Sequence, residues 1–292
     1  MNGYGGSILR VNLTEGKITR LPTPADVIRD YIGGRGFGAY FLYHEVPAHA
    51  DPLGPENKLI ISTGPLSGLM IPGAGKCDFS TKSPLTGGYA GSSLGGLFTA
   101  EMKYAGIDSI ILEGISPKPV YLFIDDRKAE LRDASEYWGK GSITVERMFK
   151  EQLGEAFQVA VIGPGGENLV SYASINHDYG REAGRGGVGA VMGSKRLKAI
   201  VLHGTQSVQV ADLAGYRKAG MALFKACKDS DGLKPWQDYG TTIVTSWCDE
   251  VGALPTRNFS AGSFEGGPTL YGPVMREQIV ITDKGCFGCP SP

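Results

Sequence analysis

Hydrophobic and polar positions divide this chain into short apolar runs separated by glycine, proline and charged residues. Lys58-Leu-Ile-Ile-Ser-Thr63 is a compact apolar run of strand length, and similar runs predict strands at Ser109–Glu113, Val120–Ile124, Val159–Ile162 and Ala199–His203. The start reads as a hairpin: Ser7–Leu13 and Lys17–Leu21 flank Thr14-Glu15-Gly16, a short turn whose glycine suits positive φ. Helical signals follow it, with Thr23 as N-cap, Pro24 at the first helical position and Gly33-Gly34 as the stop. Further helices are predicted over Gly36–Glu45, Thr99–Tyr104 and Ser142–Gln152.

Strands outnumber helices before residue 205, and their order is mixed rather than strictly βαβα, which favours an α+β fold over a doubly wound sheet. After Val210 the texture becomes helical, with Leu213, Tyr216, Met221, Phe224 and Ala226 spaced along one segment and Thr241–Val251 forming another. The expected organisation is a β-rich, cofactor-binding α+β domain over residues 1–209 and the beginning of a helical domain over 210–292.

Composition narrows the function. Lysine plus arginine number 29 against 30 acidic residues, so nothing draws the chain to nucleic acid or a charged membrane surface. No apolar run reaches the length of a membrane span. The opening Met-Asn-Gly-Tyr-Gly-Gly lacks the pattern of a signal peptide, and five cysteines do not suggest a disulfide framework, so a reducing cytoplasm is expected. Glycine accounts for 44 of 292 residues and is clustered, which predicts tight turns and close backbone approach to a ligand.

Three glycine-rich segments carry the candidate chemistry. In Gly180–Lys195, exposed N–H groups, Arg181 and Arg185, together with a helix after them, can form an anion cradle. Gly184-x-Gly186-x-x-Gly189 has the spacing of a dinucleotide fingerprint, but Asn176–Tyr179 is a poor strand to precede it. A Walker A loop is excluded, because serine precedes Lys195 and the spacing is wrong. The other two segments, Gly73–Gly87 and Gly91–Gly96, bring small residues, hydroxyls and Lys76; each alone reads as a surface turn. His177, beside the arginines, is read as a capping or surface residue. Cys286-x-x-Cys289-Pro290 has metal-ligand spacing that suits zinc and iron–sulfur equally, whereas Cys77, Cys227 and Cys248 read as ordinary small core residues.

Several blocks in order give a resemblance along essentially the whole chain to the tungsten-containing aldehyde:ferredoxin oxidoreductase family. They include Arg10–Leu13, Asp51–Ile60, Gly64-Pro65-Leu66, Thr81–Gly87, Glu101–Gly106, Arg132–Ser135, Gly163–Leu169 and Ala183–Lys195. The resemblance implies a β-rich base carrying a tungsten (or molybdenum) bis-molybdopterin cofactor, with helical domains above it. Lys76, Ser93, Gly95, Arg181, Glu182, Gly184 and Arg185 match its cofactor-contacting positions. Ser93 and Glu182 match residues whose backbone carbonyls hold magnesium between the two pterin phosphates, which implies that the Glu182 side chain turns away from those phosphates.

The family usually carries arginine at Lys76, which has a two-point fork that lysine lacks, and asparagine at Ser93. Cys286 and Cys289 match the first two ligands of a [4Fe-4S] cluster whose third would follow Pro292, so the chain is expected to be an N-terminal portion, inactive alone and without the catalytic proton-transfer residues. The implied reaction oxidises an aldehyde to a carboxylic acid, passing electrons through the cluster to ferredoxin or a similar carrier, with a homodimer as a further expected assembly. The alternatives are a zinc-binding module without enzymatic activity and a split subunit completed by a partner chain.

Overall fold

The computed structural model describes residues 1–291. Two six-stranded mixed sheets dominate it. The first contains β1 (Ser7–Asn12), β2 (Lys17–Pro22), β3 (Leu59–Ser62), β4 (Cys77–Lys82), β5 (Tyr89–Leu94) and β6 (Ile107–Glu113), in the order β2-β1-β6-β3-β4-β5. The second contains β7 (Val120–Asp125), β8 (Lys128–Asp133), β9 (Gln158–Val161), β10 (Ile175–His177), β11 (Arg181–Ala183) and β12 (Leu197–His203), in the order β11-β10-β9-β12-β7-β8. Each sheet has one parallel pair, β1 with β6 and β12 with β7; the other pairs are antiparallel. The architecture is α+β.

Apolar runs occur here because the central strands are covered on both faces. On one face of the first sheet, Ile8, Ile60 and Ile111 pack against Val27 and Ile28 of α1 (Ala25–Tyr31) and Phe37 and Phe41 of α2 (Arg35–Glu45). Its other face, with Leu9, Leu59, Phe79 and Ile110, shares one core with Leu122, Ile124, Ile200 and Leu202 of the second sheet. Phe98 and Met102 of α3 (Phe98–Tyr104) belong to that core, as do Val188, Val191 and Met192 of a later helix described below. The outer face of the second sheet is closed by Val145 and Phe149 of α4 (Ser142–Leu153).

The later helix, α6 (Val188–Ser194), follows the single turn α5 (Pro164–Glu167), and all but its last residue are buried. Such a helix must be small where other backbone approaches it. A Cβ on Gly189 would strike the carbonyl of Ser174, and one on Gly193 would strike that of Gly166.

Some expectations need correcting. Thr23 does not cap α1; its hydroxyl donates to Asp108 Oδ2 at 2.7 Å, and Pro24 occupies the cap. Asp108, fully buried, also accepts from the backbone N–H groups of Gly5 and Gly6 and from Lys103 Nζ, so this carboxylate takes the hydroxyl before the helix can. The Gly/Pro/Ser-rich stretch contains β4 and β5, whose polar residues are tied by hydrogen bonds rather than left in loops. Asn176 and His177, the start of the segment read as a poor strand, lie in β10 (Ile175–His177).

The chain divides into two compact units, Met1–Leu69 with Ala74–Leu213, and Met70–Gly73 with the chain from Ala214 onward. The second unit is helical, with α7 (Leu213–Lys228), α8 (Lys234–Tyr239), α9 (Val244–Glu250) and α10 (Gly272–Gln278). No residue of α7 is buried. Among the described residues no helix is long and apolar enough to cross a membrane.

Candidate functional site

β5 is an edge of the first sheet and β11 an edge of the second, and the two edges meet. The Arg185 N–H donates to Ser92 Oγ at 3.0 Å, and Ser83 Oγ donates to the carbonyl of Gly186 at 2.8 Å. Glycine is required along this seam. A Cβ on Gly186 would lie 2.5 Å from that of Ala90, and one on Gly96 would lie 2.5 Å from His177 Nε2 and 3.2 Å from Arg181 Cδ.

The seven residues singled out from sequence as cofactor-contacting lie on or next to β4, β5 and β11. Ser93 lies opposite Asp78, and the same register carries Lys76, just before β4, to the level of Gly95. Arg181 opens β11, Glu182 follows it, and Gly184 and Arg185 leave it. Lys76, Ser93, Glu182, Gly184 and Arg185 are exposed, Arg181 is half-buried and Gly95 is buried. Cys286 and Cys289 belong to the other unit.

The acidic side chains at the seam are engaged by protein groups. Glu182 Oε1 accepts from Asn176 Nδ2 at 2.6 Å. Asp178 pairs with Arg181 at 3.3 Å, and Asp78 accepts from Ser80 Oγ at 2.5 Å and pairs with Arg35 Nε at 3.2 Å. Arg35 is a cation that sequence reasoning missed. Its side chain is 68% exposed beside the strand partner of Ser93. The signal is the Gly33-Gly34-Arg35-Gly36 run, in which Gly33-Gly34 reads as a helix stop and Gly36 as the start of the next helix. Gly34 at φ 51° caps α2, and Gly36 lies too close to the Tyr31 carbonyl for any side chain.

The β10–β11 turn is held from beneath. Asp178 and Tyr179 adopt φ of 55° and 62°, unfavourable for residues with side chains, and Glu146 of α4 accepts both of their N–H groups at 2.8 and 2.9 Å. Burial raises the Glu146 pKa above its ordinary value, and those two N–H groups oppose the shift. Glu146→Ala should cost about 2–3 kcal/mol and speed hydrogen exchange at the Asp178 and Tyr179 amides; unchanged exchange would refute the clamp.

His177 is wholly buried. Its Nδ1 bonds the Val159 carbonyl at 2.9 Å, and Nε2 accepts from the N–H groups of Leu97 and Phe98 at 3.3 Å each, capping the start of α3. Burial pushes its pKa down to about 4, so the ring is neutral at pH 7 and both nitrogens have assigned roles. Of the capping or surface role read from the sequence, the cap is present and the surface position is not, because the ring is buried.

The helix expected to contribute to the anion cradle does not open onto the seam. Gly187, its N-cap, lies against the Ser171 carbonyl, and Val188 and Gly189 are buried. Lys195, at the end of the same run, is buried and donates to the carbonyls of Asn57 at 2.6 Å and Gly114 at 3.2 Å. The fingerprint Gly184-x-Gly186-x-x-Gly189 does follow a strand, contrary to expectation. β11 is antiparallel to β10, β10 to β9 and β9 to β12, so β11 and β12 run oppositely and form no parallel βαβ unit. The dinucleotide reading stays excluded on topology.

In the second unit, the Cys289 N–H donates to the Cys286 carbonyl at 2.9 Å around Gly288 at φ 67°, placing two cysteines outside any disulfide on one turn. Among the described residues no group of three or more His, Cys, Asp or Glu side chains is placed to hold a metal ion. Cys77 is buried, and burial pushes its thiol up to about 12, so it is not available as a thiolate ligand.

Two mixed sheets thus meet at a glycine-lined seam that carries arginines, and the other unit carries a two-cysteine turn. The comparisons assign the family. Residues 8–204 match the model of the aldehyde ferredoxin oxidoreductase N-terminal domain, and residues 218–292 match that for its domains 2 and 3. The chain belongs to this family. It is 46% identical to the tungsten-containing aldehyde ferredoxin oxidoreductase of Pyrococcus abyssi, over 99% of this chain and 48% of that protein. It is 37% identical to the WOR-like subunit of an aliphatic sulfonate oxidoreductase of Pyrococcus furiosus, over 82% of this chain and 40% of that one. Among solved structures, the active site complex BamBC of benzoyl coenzyme A reductase superposes with a TM-score of 0.86 at 35% identity, covering 99% of this chain and 46% of that chain. The chain spans about half the length of the curated relatives it matches.

Proposed function

We propose that this chain is the cofactor-binding floor and the first half of the iron–sulfur ligand set of a tungsten or molybdenum bis-pterin oxidoreductase. The whole enzyme oxidises an aldehyde to a carboxylic acid: aldehyde and water give acid, two protons and two electrons, and the electrons leave through a [4Fe-4S] cluster to ferredoxin in a reducing cytoplasm. The observation that supports the reading is the meeting of β5 and β11, which carry or adjoin Ser93, Gly95, Arg181, Glu182, Gly184 and Arg185, with Lys76 just before the neighbouring β4.

The seam fits a phosphorylated pterin. Its glycines leave no room for side chains at Gly96 and Gly186, and Gly184 has nothing but the Glu182 Cβ near its own missing Cβ, so backbone can approach a ligand. Lys76, Arg181 and Arg185 supply positive charge for phosphate oxygens. The Glu182 carboxylate is occupied by Asn176, which supports a main-chain role for this residue toward magnesium, shared with the Ser93 carbonyl. The bound metal supplies the two-electron chemistry, and this chain's residues bind and orient the group that carries it. Relatives named for an aldehyde, a sulfonate and a coenzyme A ester resemble this same part, which supports placing substrate choice elsewhere in the whole protein.

Metal and pterin analysis of the whole protein tests the reading. Tungsten or molybdenum with pterin and iron is expected; zinc alone would overturn it in favour of a structural module. Cys289→Ser should remove most of about four irons per chain and the cluster's electron paramagnetic resonance signal while leaving pterin in place. Full iron in that variant would refute the ligand assignment.

A further inference from the structure

A second cationic site lies at the other edge of the first sheet. A cleft of about 280 Å³ is lined by Gly5, Gly6, Ser7, Arg20, Gly106, Arg127 and Gln206, with Leu21 and Pro22 at its side. β2, which carries Arg20, is the edge opposite β5, so this cleft is distinct from the seam.

Arg20 is half-buried yet has no carboxylate partner among the described residues. Its Nη1 donates to Ser7 Oγ at 2.9 Å and to the Ala105 carbonyl at 3.2 Å, and its Nη2 donates to the Asp126 carbonyl at 3.1 Å. Three neutral oxygens thus fix the guanidinium while leaving others of its five N–H donors uncommitted. Burial lowers its pKa, and the neighbouring Arg127 lowers it further. Two arginines facing one cleft without a carboxylate between them is an unfavourable arrangement unless an anion joins it.

The nearest acids do not fill that role. Asp108, behind Gly5 and Gly6, is neutralised by Lys103 and accepts both glycine N–H groups. The Asp126 carboxylate is bound by the N–H and hydroxyl of Thr205 at 2.7 Å each. Arg127 is exposed on the β7–β8 turn, free to swing over a ligand, and the Gln206 amide, beside Gly106, adds a neutral donor.

We propose that this cleft binds a small oxyanion of the phosphate class, held in two-point fashion by Arg20 with Arg127 closing over it. A volume at the low end of ligand pockets, about 300 Å³ and upward, suits inorganic phosphate or a small phosphate monoester rather than a nucleotide. The inference stands apart from the cofactor reading and does not depend on it.

Isothermal titration of the purified protein with inorganic phosphate, and separately with glycerol 3-phosphate, tests it against a chloride control at matched ionic strength. Saturable binding of phosphate is expected, at least tenfold weaker in Arg127→Gln and lost in Arg20→Gln. Tighter binding of the monoester would identify an organic phosphate as the ligand, and tighter binding of phosphate the free ion. Arg127 makes no structural bond here, so its variant stays informative even if Arg20→Gln fails to fold. Arg29→Ala, an exposed arginine paired with Asp30, should leave this binding unchanged. Absence of saturable binding, equal binding in Arg127→Gln, or an equal loss with Arg29→Ala would overturn the proposal.

Discussion

Replacing His177 with leucine should lower stability by about 3–5 kcal/mol, a large loss for one side chain. The imidazole answers three buried backbone groups at once: the Val159 carbonyl and the N–H groups of Leu97 and Phe98. Leucine fills much of the volume and leaves all three without partners. His177 also shapes the acid response. The unfolded chain takes up this proton near pH 6.5, while the folded one resists until about pH 4. Between those values the unfolded state holds more protons, so stability falls as pH falls, by about 3 kcal/mol in total.

Glu146, whose oxygen lies 3.9 Å from Nδ1, opposes this. Its raised pKa lets the folded state take up this proton before the unfolded one as pH falls, which returns some stability above the ordinary carboxyl value. Asp178, Lys150 and Arg181 are the other charges felt by the ring. Urea unfolding at pH 7, 6, 5 and 4.5 should show a declining limb in the wild type that is flattened in His177→Leu. A parallel decline in both proteins would mean that this histidine does not carry the acid response.

The same residue shows what the sequence could and could not disclose. That His177 caps rather than catalyses was legible, since no histidine or cysteine lies at ligand spacing from it. That it caps α3, a helix some 80 residues earlier, was not, because the contact depends on how two sheets meet. Strands with both faces buried, such as Leu59–Ser62 and Leu197–His203, announced themselves as apolar runs. β4 did not, because Asp78 and Thr81 are buried with hydrogen bonds to Arg35 and Lys58, outside their own strand. Thr81 Oγ1, for example, donates to the Lys58 carbonyl at 2.7 Å. Local patterning cannot price such a partner. The candidate cofactor residues are named from order and motif, yet their shared neighbourhood arises where edge strands of two different sheets, β5 and β11, meet, and glycine-rich stretches of this kind read as turns. Arg35 was missed for the same reason: its importance comes from Asp78 and not from its neighbours in sequence.

Loss of Arg185 should be the most damaging change at that seam. In the whole, cofactor-loaded protein, Arg185→Ala is expected to weaken retention of the phosphorylated pterin by about 30- to 100-fold, the equivalent of about 2–3 kcal/mol for a charge-assisted two-point contact. The backbone of Arg185 is pinned by Ser92 Oγ, so truncating the exposed side chain removes charge without loosening the turn. Arg185→Lys should keep the charge and lose the fork, giving an intermediate loss, whereas Lys76→Arg should gain a fork and strengthen retention. Tungsten, molybdenum and pterin per chain, measured after dialysis at low and high salt, read the effect directly. Arg29→Ala, an exposed arginine paired with Asp30 on α1, is the control for charge alone. If Arg185→Ala and Arg29→Ala retain equal cofactor, the guanidinium at the seam has no part in holding it. A wild-type protein without pterin would instead remove the cofactor reading itself, which separates failure of one contact from failure of the whole assignment.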